Sequence, residues 1–432
     1  MLNRKNQKKL ALIGLDGVSY DLVKEFTQRG VMPNMEKLIK KKGLVRTSAP
    51  LPEISPVSWM SMMTGMNPGE HGVFGFAELD PVNYSYILPH FPSLPVKPLW
   101  EELGNDNTSI IINLPHTYPA RPLKGILVSG FVAIDLEKAV YPPGILPILK
   151  QMNYQFDPDF SLIPDKKTEF LIQLDQILET RWKLFQHVSK EHWNLLVFVI
   201  TGTDRINHYF YHSLSNKDSP FHKNFLQFYK KIDAILGEII FQLDKKGIPF
   251  VVVSDHGFVP LKQEIYVAQY LKEWGYLYLD TPEETPNDLT TMNSRTTVFA
   301  LDPSRIYIHL KEKYKRGCVY KNEYNQLREE IKKRFLELEI DNQPVLAHIF
   351  FKEEIYTGKF LDKAPDMVLL ANEGYDLKLG LSKRAKTGVA NFEGMHSRDN
   401  AILIDGCGFH LNDNAAIAEI GKEIKRFFFC SL

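Results

Sequence analysis

The sequence predicts an α/β fold: a mostly parallel central sheet with helices on both faces and a small inserted subdomain. Continuous apolar runs of strand length recur along the 432 residues. Amphipathic stretches of helical period separate several of them, and polar residues with catalytic potential follow several of the runs. Runs without alternation suit strands buried on both faces, and a sheet covered on both faces is the parallel α/β arrangement. In such sheets chemistry collects at the carboxyl ends of the strands.

The first run, LALIGL (10–15), follows the basic stretch MLNRKNQKK and ends at Asp16-Gly17. It is too short for a signal h-region or a membrane span, so it reads as a buried strand. The amphipathic LVKEFTQRG (22–30) follows. SPVSWMSMMTG (55–65) reads as a helix with Ser55 at the N-cap and Pro56 at the first helical position. Further strands are read at SIIINL (109–114), GILVSGF (125–131), NLLVFVI (194–200), PFVVVSD (249–255), DMVLLA (366–371) and NAILIDG (400–406), with a helix at 228–247.

The stretch 264–352 has a different texture. A polar, turn-rich segment (280–297) precedes a strand-like RIYIHL (305–310) and a charged helix (325–338). We expect one catalytic domain over 1–432, its core in about 8–263 and 353–432, with 264–352 inserted as a cap or as surface elaboration.

Composition narrows the function. Lys+Arg and Asp+Glu are both 52, and this zero balance argues against a broad nucleic-acid-binding surface. The three cysteines, Cys318, Cys407 and Cys430, fit neither a disulfide framework nor a thiolate zinc cluster. Cys430 stands third from the end, so it is not in a prenylation box. Together these features lead to the expectation of a cytoplasmic protein without a membrane segment.

Four segments carry the chemistry: LIGLDG with Asp16; SPVSW with Ser55; TDRINH with VVVSDHG, supplying Asp204, His208, Asp255 and His256; and GMHS with His396. Each alone has an ordinary reading: a turn, a helix cap, a surface histidine. Taken together they supply donors for two cations. A helix beginning near Thr203 puts Asp204 and His208 four apart on one face. After PFVVVS, a tight strand-end loop lets Asp255 and His256 turn the same way, with Gly257 permitting close backbone approach. Grouped by chemistry, Asp204, His208 and His396 make a nitrogen-rich set resembling a catalytic zinc site. Asp16, Asp255 and His256, with Ser55 as a possible fourth ligand, make an oxygen-rich set suited to zinc, manganese or magnesium. Two such ions roughly 3.5–4 Å apart would clamp an in-line displacement. At a helix N-terminus, free N–H groups and the dipole favour a phosphate beside Ser55.

The order of these motifs resembles the alkaline phosphatase superfamily. It runs from an Asp after the first strand, through a hydroxyl at a helix start before TG-x-x-P-x-x-HG and then D-x-x-x-H and DHG, to a late His. The nearest likeness is to the type I phosphodiesterase/nucleotide pyrophosphatase branch and its predicted phosphohydrolase or phosphomutase relatives. LWEELGNDNTSIIINLPHTYPA (99–120), DRINHYFY and YTGKFLDKAPDMVLL (356–370) extend the likeness over nearly the whole chain. The resemblance implies that Ser55 is the nucleophile and that Asp16, Asp255 and His256 hold the cation beside it. It assigns Asp204, His208 and His396 to the other cation. Many relatives have Thr at the Ser55 position. Nucleotide pyrophosphatases place an Asn where Ser58 stands here, which weakens the case for nucleotide substrates.

The function expected is metal-dependent hydrolysis of a small phosphate ester, di- or monoester, through a phosphoseryl intermediate with two divalent ions. Zinc is the first choice, then manganese or magnesium. A phosphomutase, with Arg295, Arg305 and Arg316 holding substrate, and a non-catalytic ligand-binding protein are the alternatives. A sulfatase is disfavoured because SPVSW lacks the Arg of that family's conversion motif.

Overall fold

In the computed structural model, residues 8–280, 288–389 and 391–430 are described. The first seven residues of the basic N-terminal stretch, and 281–287 within the turn-rich segment, lie outside them. The chain forms two compact units, one of residues 1–66, 90–259 and 391–432, the other of 67–89 and 260–390.

The first unit is built on a nine-stranded sheet. Its order is Ala415–Ala416, Val45–Ser48, Ala401–Asp405, Phe250–Val253, Leu10–Leu15, Leu195–Ile200, Ser109–Leu114, Gly125–Ser129, Val140–Tyr141. The five strands from Phe250–Val253 to Gly125–Ser129 are mutually parallel, and Ala401–Asp405 joins them antiparallel. All six residues of Leu10–Leu15 and of Leu195–Ile200 are buried, as unalternating apolar runs require.

Helices cover both faces. On one, Ala11, Ile13 and Leu15 share a core with residues of helices Tyr20–Gln28, Pro33–Lys42, Lys167–Val188 and His222–Lys245. On the other, the Trp59 ring of helix Ser55–Thr64 packs so close to Gly14 that an added Cβ would lie 2.5 Å from it. Helix Ile417–Phe429 crosses Ser55–Thr64 there at Gly421, where a Cβ would fall 1.9 Å from the Met62 carbonyl. Among the described residues no helix is long and apolar enough to cross a membrane. Cys318, Cys407 and Cys430 are all free thiols.

The second unit has its own core, around a four-stranded sheet ordered Val298–Leu301, Arg305–Ile308, Met367–Ala371, Leu346–Phe351. Helix Tyr324–Leu336 contributes Ile331 and Phe335 to it. The expected insertion 264–352 falls inside this unit, which also takes 67–89, 260–263 and 353–389. The run 366–371, read with the core strands, is thereby a strand of the second sheet, antiparallel to both neighbours. Its apolar pattern marks a buried strand but says nothing about which sheet it joins.

Candidate functional site

Every expected site residue lies in the first unit, and the fold brings all seven together. Three parallel neighbours deliver most of them. Asp16 follows Leu10–Leu15, Asp255 and His256 follow Phe250–Val253, and helix Gly202–Phe210 starts two residues beyond Leu195–Ile200. Thr203 Oγ1 donates to the Asp16 carbonyl at 2.5 Å, tying that helix to the end of the first strand. The Gly17 N–H donates to Asp255 Oδ1 at 3.0 Å, tying the end of Leu10–Leu15 to that of Phe250–Val253. Gly17 has φ +64°, a backbone that L side chains rarely adopt.

His396 stands in a short strand, Gly394–Ser397, paired with Gly257–Pro260. That ribbon begins directly after His256. A Cβ at Gly257 would lie 2.6 Å from Ser397 Oγ, so glycine is what lets the two segments close up. The pairing stacks the rings of His256 and His396 at a centroid distance of 3.7 Å.

Two donor sets result. Asp204 Oδ1 lies 3.4 Å from His208 Nε2 and 3.3 Å from His396 Nε2, and the two Nε2 atoms are 3.1 Å apart. His256 Nε2 lies 3.7 Å from Asp16 Oδ1 and 3.4 Å from Asp255 Oδ2. His256 also sits 4.0 Å from Asp204 Oδ1, so the sets adjoin, and it belongs with Asp204 and His396 as closely as with the two other acids.

The imidazoles are oriented for ligation. His208 Nδ1 meets the Gly394 carbonyl at 3.2 Å, His396 Nδ1 the Glu53 carbonyl at 2.9 Å, and His256 Nδ1 the Gly257 carbonyl at 3.1 Å. A carbonyl only accepts, so each Nδ1 carries a proton and each ring turns its Nε2 into the cluster. Asp255 Oδ2 is buried without a hydrogen-bond donor. Burial, then Asp255 and Asp204, push the Asp16 carboxyl well above its ordinary range. Burial raises Asp255 also, with Asp204 adding to it. Burial pulls Asp204 upward too, but His208, Arg205 and His396 outweigh it and hold Asp204 well below. Ring nitrogens and crowded carboxylates converging out of water are the donor set a divalent cation neutralises. The residues fit such ions.

Ser55 was expected at the N-cap. The helix instead starts at Ser55, and the cap is Ile54, in extended conformation. Val57 and Ser58 N–H both donate to the Ile54 carbonyl, and Pro56 has no N–H. The free-amide cradle expected there therefore shrinks to the Ser55 N–H. Its hydroxyl, released from capping, donates to Asp16 Oδ1 at 3.2 Å and lies 3.3 Å from His256 Nε2. Thr64, at the other end of the same helix, is spent on the Met60 carbonyl.

Of the arginines considered for holding substrate, all three belong to the second unit. Arg305 is buried there and bonded to Glu78, Ala77 and Asp302. Arg316 bonds the Thr290 carbonyl and covers the Tyr84 ring, and Arg295 covers Tyr278. The Asp157–Arg205 pair beside Asp204 gave no sequence signal, because its halves are 48 residues apart.

The sequence profile of the type I phosphodiesterase/nucleotide pyrophosphatase family matches residues 10–399. The chain belongs to this family. An uncharacterized pyrophosphatase/phosphodiesterase of Schizosaccharomyces pombe is 24% identical over 264 residues, 59% of this chain, and the match spans 45% of that relative's length. Phosphonoacetate hydrolase of Sinorhizobium meliloti, in complex with phosphonoformate, superposes with a TM-score of 0.64 at 14% identity, covering 98% of this chain and 96% of its own. Murine ectonucleotide pyrophosphatase/phosphodiesterase 5 superposes at 0.56 and 14% identity, covering 98% and 95%. These likenesses establish an alkaline phosphatase-like fold.

Proposed function

We propose that this protein hydrolyses small phosphate esters, diester or monoester, in two displacements with Ser55 Oγ as the nucleophile. The observation that carries the reading is the placement of that oxygen. It is not spent on capping its helix, and it sits between Asp16 Oδ1 and His256 Nε2. In this reading Asp16, Asp255 and His256 hold one divalent ion with Ser55, and Asp204, His208 and His396 hold the other. When bound, such ions polarise phosphoryl oxygens and offset the charge that builds on them. Asp16 fixes the rotor of the Ser55 hydroxyl and accepts its hydrogen bond. The dipole of helix Ser55–Thr64 and the Ser55 N–H favour the incoming phosphate. Attack forms the Ser55–phosphorus bond and expels the alcohol; water then displaces Ser55 and releases phosphate or a monoester.

Family membership supports phosphoester chemistry, and Arg305 and Arg316, considered for holding a mutase substrate, are bonded to Glu78 and Thr290 of their own unit. The test is turnover of p-nitrophenyl phosphate, bis(p-nitrophenyl) phosphate and p-nitrophenyl phenylphosphonate, with zinc or manganese added and metal content measured on the same sample. No turnover of any ester by metal-replete protein would favour a non-catalytic ligand-binding role.

A further inference from the structure

We infer that Asp157 and Arg205 form a positioning pair that presents Asp204 to its cation through a single oxygen. The inference rests on the reading of Asp204 as a cation ligand. Arg205 Nε and Nη2 meet Asp157 Oδ1 and Oδ2 at 2.8 and 3.0 Å, a two-pronged pair in the plane of the guanidinium. The remaining edge reaches Asp204, with Nη1 at 2.5 Å from Oδ2. That leaves Oδ1, the oxygen within 3.4 Å of His208 Nε2 and 3.3 Å of His396 Nε2. A carboxylate free to rotate would offer either oxygen or both.

The assembly is anchored on every side. The Arg205 guanidinium lies 4.2 Å over the Phe131 ring and 5.4 Å from that of Phe160. Arg181, 2% exposed, donates to the Thr201 hydroxyl at 2.7 Å and to the Phe156 carbonyl. Thr201 caps the helix carrying Asp204 and Arg205, and Phe156 precedes Asp157. One buried arginine therefore holds both halves of the pair in register. Lysine at position 205 would keep the charge but could not grip Asp157 with two prongs and Asp204 with a third donor.

Zinc binding to metal-free protein, measured by competition with a chromophoric chelator, tests the inference. Partners behind metal ligands are typically worth about 10- to 100-fold in affinity. Asp157→Asn and Arg205→Lys should each weaken the affected site by that factor, and the cobalt-substituted protein should change its visible spectrum. Asp157→Glu, which can regain two prongs, should recover part of the affinity. Thermal unfolding of the metal-free variants separates this from a merely structural ion pair. A lowered melting temperature with unaltered zinc affinity and cobalt spectrum would overturn the inference. Asp204→Asn is the control: if it too leaves zinc affinity intact, the ligand reading itself falls. If it abolishes a site that Asp157→Asn and Arg205→Lys leave whole, only the positioning role falls.

Discussion

The imidazole rings of His256 and His396 lie stacked, centroids 3.7 Å apart and planes 26° from parallel. They join the two donor sets, because His256 faces Asp16 and Asp255 while His396 faces Asp204 and His208. Both turn Nε2 inward among buried carboxylates, a donor set whose charge a bound cation would offset.

Removing such a cation should therefore cost both activity and rigidity. We expect about two transition ions per chain, stripped by chelator with loss of turnover and recovered on adding zinc or manganese. His396→Ala and Asp204→Ala should each lose cation from the nitrogen-rich set and drop turnover by orders of magnitude. Metal analysis and ester hydrolysis on the same preparations check this. Full metal content with near-normal turnover in both variants would dismiss the assignment.

Much of this was legible beforehand, for a physical reason. Strands buried on both faces must be apolar throughout, so 10–15 and 194–200 announce themselves, and the residues that follow them fall at one edge of the sheet. What escaped depends on distant partners. The ribbon that holds His396 needs Gly257–Pro260, over a hundred residues earlier, and nothing in GMHS encodes it. The segment 67–89 joins the second unit through Glu78 on Arg305 and the buried Tyr84 on His309, both more than 200 residues away. The cap fell on Ile54 rather than Ser55, and the Ser55 hydroxyl donates to Asp16, which follows a different strand 39 residues earlier.

Gly17→Ala should damage the site without touching a donor atom. The left-handed backbone costs on the order of 1–2 kcal/mol for a side-chain-bearing residue. The new Cβ would also press the Phe258 ring from 2.7 Å. That ring packs against His208, His256 and His396, with centroids 4.8, 5.8 and 5.2 Å away. We expect lower stability in chemical denaturation together with weaker zinc retention. Unchanged zinc retention would show that Phe258 does not set the ring positions.

Arg305→Met tests the second unit. The guanidinium is 1% exposed and bonds Glu78 Oε1 at 3.0 Å and the Ala77 carbonyl at 2.8 Å. Glu78 is 26% exposed, so losing its partner should cost about 1–3 kcal/mol. The variant should unfold at lower denaturant, and its second unit should become protease-sensitive before the first. Wild-type stability with a raised KM would return Arg305 to a substrate-holding role.

Ser55 is the residue on which the mechanism turns, and its position sharpens the test. A Ser at the N-cap would cost about 1 kcal/mol when truncated. Here Ile54 is the cap, so Ser55→Ala gives up no cap and loses the buried hydrogen bond to Asp16 instead, about 1–3 kcal/mol. The same variant should keep its metals and lose most turnover. Ser55→Thr should keep part of it, since the hydroxyl survives. Acid quenching with labelled substrate should leave label on the peptide bearing Ser55 when the second displacement is slow enough to trap. Stereochemistry supplies an independent measurement. Two in-line displacements retain configuration at a chiral phosphorus, whereas a single attack by water inverts it. Inversion, or a fully active Ser55→Ala enzyme, would take Ser55 out of the reaction and leave the cations and their ligands to act on water alone.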